Sequence, residues 1–358
     1  MSKIHATISI NGLNYSDNEL TLLIAERLSQ PQLPEWEREL YTFLKEWFTP
    51  SDFIEAQTSG STGTPQIIRL PKITMQQSAR RTIEYFGLHA GNRILLSLPC
   101  RFIAGKMMVV RAIIGQMDLI TVDPSTDFEL LRNNTFDLCA MVSSQVFKLL
   151  GSHSGKEKLE NVRNLLIGGS AIPANLEAQI SQLKSRVVST YGMTETASHI
   201  AIRELSGGKR SDIYHCLPGI SVSTGENDCL QIHVAESYET LQTKDIAEIL
   251  SPASFRILGR VDDVIISGGI KYRPEIIEKK LESAIPGRFV ISSIPDEMLG
   301  EKVVLVIEGK PADIEIIQQK LAELLSPFER PKAISFMDKF PETQNGKLKR
   351  NEIKGTIK

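Results

Sequence analysis

A run of hydroxyl-bearing residues and glycines at residues 58–65 is the first stretch that could do chemistry. It reads Thr58-Ser59-Gly60-Ser61-Thr62-Gly63-Thr64-Pro65. Hydroxyl groups and closely approaching backbone N–H groups can together surround an anion such as a phosphate. A solvated Ser/Thr/Gly linker is the alternative, but strand-like segments at 54–57 and 67–70 flank the run. The pattern therefore predicts a tight loop between two strands, and the G-x-x-x-x-G-K-[ST] spacing of a Walker loop is absent.

A second stretch follows a buried strand and reads Tyr191-Gly192-Met193-Thr194-Glu195-Thr196. A tyrosine ring can stack on a base, a threonine can donate to a phosphate, and a glutamate can hold a divalent cation. The alternative is an ordinary Tyr-Gly turn. Further along, Asp245 could accept hydrogen bonds from a ribose diol, although an isolated aspartate is commonly a solvated loop residue.

Two more stretches lie in the last hundred residues. Gly259-Arg260-Val261-Asp262-Asp263 precedes a short apolar strand and the turn Ser267-Gly268-Gly269, where the composition changes as at a domain junction. Near the end of the chain, Asn345-Gly346-Lys347 presents one lysine in a turn, which by itself indicates only an exposed turn.

Short apolar runs that alternate with helical stretches must position these residues. Runs of four to six apolar residues, such as those ending at Gly168-Gly169-Ser170 and at Tyr191-Gly192, alternate with polar helices. This alternation predicts an α/β fold, a mostly parallel sheet with helices on both faces. Ligands of such sheets bind beyond the carboxyl ends of the strands, where both glycine-bearing ends fall.

The remaining patterns predict a small β-unit and a second domain. Period-two alternation over 220–250 indicates antiparallel strands, and about a hundred residues with two helices and several short strands follow. We therefore predict a large N-terminal α/β domain over residues 1–258 and a small mobile α+β C-terminal domain over residues 259–358.

Composition narrows the class of protein. The 358 residues carry a formal net charge of −2 and the sequence pI is about 6.4, so electrostatics favour neither a nucleic-acid nor a membrane-surface partner. No signal peptide and no run long enough to span a membrane are visible. The four cysteines form no CxxC pair and are expected to be reduced core residues. We predict a soluble, cytoplasmic protein, and the sequence does not indicate its oligomeric state.

Taken together, the four stretches resemble the adenylate-forming superfamily of acyl- and aryl-CoA ligases, carrier-protein adenylation domains and luciferases. The resemblance runs from about Ile54 to the end of the chain, in order and with family spacing. Within the superfamily, the segment from Tyr191 to Ser198 and the short chain are most similar to the o-succinylbenzoate–CoA ligases of menaquinone synthesis.

The resemblance implies two half-reactions at one site, with ATP, Mg²⁺ and coenzyme A and with a small carboxylic acid as substrate. The acid is first adenylated, and a thiol then displaces AMP. Lys347, Glu195 and Thr194 would be catalytic, with Glu195 also the metal ligand. The nucleotide would contact Thr58 to Thr64, Gly169, Ser170, Tyr191, Gly192, Met193, Thr194, Asp245 and Arg260. The acyl site would be lined by Phe102, Ser198 and His199. The coenzyme A site would be formed by Gly268, Gly269 and Lys271, and the hinge would be Asp262.

The chain departs from the family in four places. Gln66 follows Pro65 where a lysine is usual, Phe102 stands where many relatives carry a histidine, and Lys244 replaces the glycine before the ribose-binding Asp245. The segment before the phosphate loop is also much shorter. For the second carboxylate of o-succinylbenzoate, a cationic or multiply hydrogen-bonding partner is expected, with His199, Ser198, Lys106 and Arg111 as the candidates.

Two alternatives stay open at this point. One is a ligase for another aryl or acyl acid, or one that loads a carrier protein. The other is a non-catalytic nucleotide-binding relative, against which the joint presence of Lys347, Glu195 and Asp245 argues.

Overall fold

The structure is a computed structural model that describes residues 7–57, 66–125, 128–235, 240–311, 313–343 and 347–357. The predicted phosphate loop, Thr58 to Thr64, lies outside the described residues, and so do Asn345 and Gly346 of the C-terminal turn. The strands on either side of the loop are described: Phe53–Gln57 pairs in antiparallel fashion with Ile67–Pro71, and Gln57 faces Ile67. The two flanking strands predicted from the sequence are therefore confirmed.

The chain divides into two compact units, one of residues 1–171 and 176–218 and the other of residues 172–175 and 219–358. The predicted boundary at residue 259 lies inside the second unit. Compactness does not test which segment moves, so the boundary of a mobile domain remains a prediction.

The first part of the chain contains many alternating strands and helices. In chain order they are β1 (Ile8–Ile10), β2 (Leu13–Tyr15), α1 (Asp17–Ser29), α2 (Glu35–Trp47), β3 (Phe53–Gln57), β4 (Ile67–Pro71), α3 (Lys72–Phe86), β5 (Arg93–Leu96), α4 (Ile103–Gly115), β6 (Asp118–Thr121), β7 (Phe136–Val142), α5 (Ser143–Leu150), α6 (Gly155–Glu160), β8 (Val162–Gly168), α7 (Ala174–Ile180), β9 (Arg186–Gly192), β10 (His199–Glu204) and β11 (Tyr214–Cys216).

The sheet of the first unit has the strand order β11-β10-β9-β8-β7-β5-β6-β1-β2. Its middle strands, from β9 to β1, run parallel to their neighbours, and β10, β11 and β2 are antiparallel additions. The middle strands are buried along nearly their whole length, which is why they appear in the sequence as continuous apolar runs. The predicted mostly parallel sheet is confirmed.

Two helices of the first unit matter for the site. Helix α3 ends at Gly87, whose φ of 60° is the left-handed conformation that glycine adopts without strain. Helix α4 is buried from Gly105 to Ile113, and this buried stretch includes the charged side chains of Lys106 and Arg111. A buried charge needs partners, so these two side chains indicate where the interior is polar.

The rest of the chain forms the β-unit and the α+β region. Its elements are β12 (Ile220–Thr224), β13 (Cys229–Val234), β14 (Thr240–Ser251), β15 (Ser254–Arg260), β16 (Ile265–Ser267), β17 (Ile270–Tyr272), α8 (Pro274–Leu281), β18 (Phe289–Asp296), β19 (Gly300–Glu308), α9 (Ile314–Leu324), β20 (Ala333–Met337) and α10 (Arg350–Thr356). Strands β12 to β15 are antiparallel, as the period-two pattern predicts.

The last hundred residues pack around a sheet of order β17-β16-β19-β18, with β20 beside β19. Ile277 and Leu281 of α8 and Ile317 and Leu321 of α9 form its core with apolar residues of the sheet. Two helices were expected here, and α10 is a third. Its seven residues carry one fully buried apolar side chain, Ile353, and so short an apolar pattern does not stand out in a sequence.

Within the described part of the chain, no helix has both the length and the apolar character that a membrane span needs. The predicted cytoplasmic location remains a prediction. Cys100, Cys139, Cys216 and Cys229 are all free thiols.

Candidate active site

The ends of β8 and β9 bring two of the predicted stretches together. The strands are parallel neighbours, with Ile167 opposite Ser189, so Gly169 and Tyr191 emerge at the same edge of the sheet. Gly169 has a φ of 92°, a conformation that favours glycine. Just beyond it, the Ser170 hydroxyl lies 3.4 Å from the Ser143 hydroxyl. The edge of the sheet predicted to bind the ligand therefore carries hydroxyls from successive strand ends.

The turn after β9 is shaped by Gly192 and Thr196. A Cβ at Gly192 would collide with the carbonyl oxygen of Ser198, because the chain reverses here into β10. The Thr196 hydroxyl accepts from the Met193 backbone N–H at 3.0 Å and lies 2.7 Å from the Ser198 carbonyl oxygen. Thr196 therefore holds the turn, a role that sequence reasoning did not assign. The Tyr191 ring packs 5.8 Å from the Tyr214 ring.

Thr194 and Glu195 lie in a single turn of 3₁₀ helix, Thr194–Thr196, that follows the strand end. Glu195 is exposed and Thr194 is half-buried. Among the described residues, no group of three or more acidic, histidine or cysteine side chains is arranged so that it could hold a metal ion. A single exposed carboxylate fits Mg²⁺, which commonly uses one or two protein carboxylates and takes its other ligands from water and substrate phosphates.

A buried polar cluster joins α3, α4 and the start of β10. The Arg111 guanidinium donates to the Ser198 hydroxyl at 2.6 Å, across 87 residues of sequence, and lies 3.4 Å from Nδ1 of His199. On the other side of the ring, His199 Nε2 is 3.3 Å from the Thr82 hydroxyl. Arg111 is only 2% exposed and His199 is 8% exposed. Three of the candidates for the acyl site thus form one constellation with Thr82.

The partners of His199 define its protonation. The Thr82 hydroxyl donates to the backbone carbonyl of Ser78 at 3.1 Å, so its oxygen is left to accept from His199 Nε2–H. Nδ1 then accepts from Arg111, which can only donate. Burial, and next the Arg111 charge, lower the pKa of His199 well below its usual value. His199 is therefore a neutral imidazole that carries its proton on Nε2.

Arg111 is a buried cation that has no compensating anion among the described residues. Burial lowers its pKa to about 10. Among the described residues, its Nε has no hydrogen-bond partner and no carboxylate forms an ion pair with it. A buried charge in this state is costly. Ser198, which is half-buried, is the member of the cluster that reaches furthest toward solvent.

The other two acyl-site candidates are placed differently. Lys106 is buried against α2, 3.7 Å from Glu46 and over the Phe43 ring, and a role for it at the acyl site remains a prediction. Phe102 is the N-cap of α4, more than two turns before Arg111 on that helix, and the Arg101 guanidinium stacks on it at 4.9 Å. Its role at the acyl site remains a prediction.

In the second unit, two predicted site residues form a pair and a third, Lys347, is influenced by their charges. Asp245 and Arg260 are cross-strand partners of β14 and β15, and Arg260 Nη1 donates to Asp245 Oδ1 at 2.6 Å. Burial and then the Arg260 charge lower the pKa of Lys347, while Asp245 acts in the opposite direction. The Lys347 side chain is therefore near enough to this ion pair for both charges to affect its pKa, although it is far from the pair in sequence.

The predicted hinge residue joins the same network. Asp262 lies in a 3₁₀ turn, Val261–Asp263, and its carboxylate is 3.2 Å from Lys244 Nζ and 3.6 Å from Arg260 Nη2. Lys244 was noted in the sequence only as a departure from the family. In the structure, Lys244 pairs with Asp262, whereas Asp245 pairs with Arg260.

The predicted coenzyme A residues lie in the hairpin of β16 and β17. Gly268 and Gly269 form its turn, with φ values of 58° and 79°, the signature of a two-residue type I′ turn. Lys271 and the apolar Ile266 and Ile270 are exposed. They line an open cavity of about 590 Å³ within the second unit. Coenzyme A binding here remains a prediction.

Comparison with known proteins identifies the family. The profile of the AMP-binding enzymes matches residues 28–224, more than half of the chain. This protein belongs to the AMP-binding enzyme family. The match includes the predicted phosphate loop, the turn after β9 and the Arg111 cluster.

Individual AMP-binding enzymes are similar over most of the chain. The 2-succinylbenzoate–CoA ligase of Lactococcus lactis is 26% identical over 317 residues, which cover 83% of this chain and 70% of that protein. An acyl-CoA synthetase (AMP-forming)/AMP-acid ligase II-like protein of Dyadobacter fermentans is 33% identical, with a TM-score of 0.61 over 92% of this chain and 96% of that one.

A third relative supports the fold. The o-succinylbenzoate CoA synthetase (MenE) of Bacillus subtilis, solved in complex with the acyl-adenylate intermediate OSB-AMP, is 21% identical with a TM-score of 0.71. The shared region covers 85% of this chain and 69% of that one. The expected fold of an adenylate-forming enzyme is thereby confirmed.

Proposed function

We propose that this enzyme activates 2-succinylbenzoate with ATP and transfers the resulting acyl group to coenzyme A. Relatives with that name share about a quarter of its residues, and the four sequence stretches occur in the family order. The observation that carries the choice of acid is the buried guanidinium of Arg111, which has no carboxylate partner among the described residues.

2-Succinylbenzoate has two carboxylates, of which only one can react at a time. The other is an anion that must be desolvated in the acyl site, and an Arg–carboxylate pair is the strongest way to bind it. Arg111 donates to Ser198, and Ser198 lies toward solvent. A carboxylate at Ser198 would be within reach of the guanidinium behind it and would neutralise a buried charge that no described carboxylate compensates.

The neutral state of His199 supports the same orientation. With Nδ1 as an acceptor, the imidazole receives a hydrogen bond from the guanidinium without adding a second positive charge. Thr82 and Ser78 in turn hold the ring. The cluster is thus arranged to keep one cation in place, facing Ser198.

In the first half-reaction, a carboxylate oxygen of the acid attacks the α-phosphorus of ATP and the bond to pyrophosphate breaks. Negative charge gathers on the α-phosphate in the transition state, and catalysis of such transfers is mostly positioning and charge stabilisation. Lys347 would supply the positive charge there. Asp245, oriented by Arg260, would hold the ribose hydroxyls, and Tyr191 would stack on the adenine.

A bound Mg²⁺ would offset the charge of the β- and γ-phosphates. Glu195 would be its protein ligand, with Thr194 donating to a phosphate oxygen, and residues Thr58 to Thr64 would surround the terminal phosphates. Gly169 and Ser170 would line the part of the site that holds the adenine base and the acyl group.

In the second half-reaction, the thiolate of coenzyme A attacks the activated carbonyl carbon and the bond to AMP breaks. Lys347 has no role in this step. We propose that residues 259–358 rotate about Asp262 to withdraw Lys347 and to bring Gly268, Gly269 and Lys271 to the thiol. A change of this kind needs one or two residues that absorb a large change in φ and ψ.

Pyrophosphate exchange across a panel of acids tests the proposal. The panel contains 2-succinylbenzoate, benzoate, a medium-chain fatty acid and 3-benzoylpropionate, which keeps the succinyl arm but lacks the ring carboxylate. We expect kcat/KM to be highest for 2-succinylbenzoate. For 3-benzoylpropionate it should be about 10- to 100-fold lower, which corresponds to the free energy of one hydrogen-bonded charge pair.

The other outcomes separate the alternatives. Equal rates for 2-succinylbenzoate and 3-benzoylpropionate would contradict the role of the second carboxylate. A faster reaction with a fatty acid would leave a general acid–thiol ligase. Exchange without coenzyme A-dependent thioester formation would point to a carrier-protein thiol, and the absence of exchange with every acid would point to a non-catalytic nucleotide-binding protein.

A further inference from the structure

The 3₁₀ turn Val261–Asp263 lies between two separate clusters of charged side chains. On one side, Asp262 pairs with Lys244 and Arg260. On the other side, Asp263 faces α8 and α10, where its carboxylate is 3.7 Å from Arg350 Nε. Consecutive residues of one short turn are therefore attached to different parts of the second unit.

The cluster around Asp263 contains more acid than base. Arg350 donates to both carboxylate oxygens of Glu278, at 2.8 and 2.7 Å, so Glu278 takes up most of its charge. Glu275, one turn before Glu278 on α8, is near enough to Asp263 to affect its pKa. Its Oε2 is shielded from solvent without a hydrogen-bond partner among the described residues. Three carboxyl groups thus lie around the guanidinium of Arg350.

The backbone of β15 leaves room for Glu275. Gly259 has a φ of 147°, and a Cβ there would collide with Glu275 Oε2. Helix α8 packs against β15 at this point. Gly259 is therefore needed for two reasons: it adopts this backbone conformation, and its lack of a side chain lets Glu275 approach closely.

We propose that Glu275 is a positioning residue that shares one proton with Asp263 and thereby holds the Val261–Asp263 turn against α8. A protonated Glu275 can donate to the Asp263 carboxylate, which Arg350 and Arg260 keep charged. The turn directly follows Arg260, the partner of Asp245, and therefore helps to position it. The inference does not depend on which acid the enzyme activates.

The surrounding charges support this assignment. Burial raises the pKa of Glu275 to about 7, with Glu278 and Asp263 acting in the same direction and Arg350 against them. Burial also raises the pKa of Asp263, opposed by Arg350 and Arg260. When the turn opens and Glu275 becomes solvated, its pKa returns toward 4.5. Opening is therefore promoted as pH rises from about 4.5 to about 7 and levels off above that.

Hydrogen exchange measured by mass spectrometry tests the proposal without any substrate. Peptides that cover residues 259–267 are compared between the wild type and Glu275→Gln from pH 5 to pH 8, as a ratio at each pH so that the intrinsic exchange rate cancels. The glutamine amide donates at every pH, so we expect the ratio of wild-type to variant exchange to rise by at least about tenfold up to pH 7 and then to remain constant.

Three further variants complete the experiment. Glu275→Ala removes the donor and should exchange faster than wild type at pH 5, and recovery in Glu275→Gln shows that the donated hydrogen bond matters. Asp263→Asn, whose amide can donate to a charged Glu275, should move the levelling-off point below pH 7. Glu297→Gln, at an exposed glutamate of the same unit, should reproduce the wild-type profile.

A ratio that does not change with pH would overturn the proposal, and so would a Glu275→Gln profile that rises like the wild type. If Glu275→Gln does not fold, the Asp263→Asn profile decides by the position of its levelling-off point. Loss of ligase activity toward every acid, with the exchange profile as expected, would contradict the proposed function and leave this inference standing.

Discussion

Asp245 and Arg260 face each other across β14 and β15, and their side chains meet at 2.6 Å. The pair fixes the Asp245 carboxylate in one orientation and gives it a positive neighbour. Burial lowers the pKa of Lys347, the Arg260 charge lowers it further, and the Asp245 charge opposes both effects. Two residues predicted to contact the nucleotide are thus paired in the second unit, and their charges act on the lysine predicted to be catalytic.

Lys347→Ala is expected to reduce adenylation while it leaves transfer from added acyl-adenylate to coenzyme A largely intact. The lysine is needed only where charge gathers on the α-phosphate, and the loss of one such contact costs on the order of 10²–10³ in rate. Pyrophosphate exchange and thioester formation are measured separately. Lys349→Ala, which removes a lysine that pairs with Glu352, is the control, and an equal loss in both half-reactions would count against the role of Lys347.

Arg111→Met is expected to lower kcat/KM for 2-succinylbenzoate by about 10- to 100-fold and to change that for 3-benzoylpropionate much less. Methionine fills a similar volume without charge, and the ring carboxylate is the group that needs the guanidinium. Lys106→Met, at the other buried cation of α4, is the matched control and should affect both acids alike. A similar loss for both acids in Arg111→Met would mean that Arg111 only supports the fold.

Asp262→Pro is expected to separate the two half-reactions in the opposite sense from Lys347→Ala. Proline fixes φ near −65°, which suits the 3₁₀ turn seen here, so the conformation with Lys347 beside Asp245 should be favoured. Pyrophosphate exchange should survive within about tenfold, or ~1.4 kcal/mol, while thioester formation from added acyl-adenylate falls much further. Single-turnover kinetics on each step measure this.

Asp262→Ala is the control for the hinge, because it removes the contacts with Lys244 and Arg260 without restricting φ. If the proline and alanine variants have the same kinetics, the effect comes from the ion pairs. If both half-reactions fall together in the proline variant at unchanged thermal stability, Asp262 is not the hinge.

His199→Gln is expected to reduce the dependence of stability on pH. The pKa of His199 is lowered in the folded protein by burial and by Arg111, so the unfolded chain binds the extra proton as pH falls below about 6.5. The wild type therefore loses stability as pH falls through this range, and it regains that stability above it. Urea unfolding at pH 7.5 and 5.5 measures the loss, and a variant with the same loss as wild type would show that His199 is not buried neutral.

Much of the fold follows from local sequence pattern. Buried parallel strands are apolar along their whole length and surface helices repeat every three to four residues, so both types of element are visible in the sequence. The mostly parallel sheet, the antiparallel strands after residue 219 and the pair of strands around residues 58–65 were all predictable for this reason. The four stretches that carry chemistry also indicated the family by their order.

Only the tertiary structure decides which distant side chains meet. Arg111 stands in an apolar helix, and nothing near it in sequence shows that it contacts Ser198 and His199 rather than solvent. In the same way, the sequence shows Lys244 only as a departure from the family beside Asp245. The pairing of β14 and β15 brings its ammonium group to the Asp262 carboxylate. Local periodicity reports which face of an element is buried, whereas pairing between charges depends on the register and packing of elements far apart in the chain. The proton shared by Glu275 and Asp263 is of this second kind, because it arises from burial, which the fold alone creates.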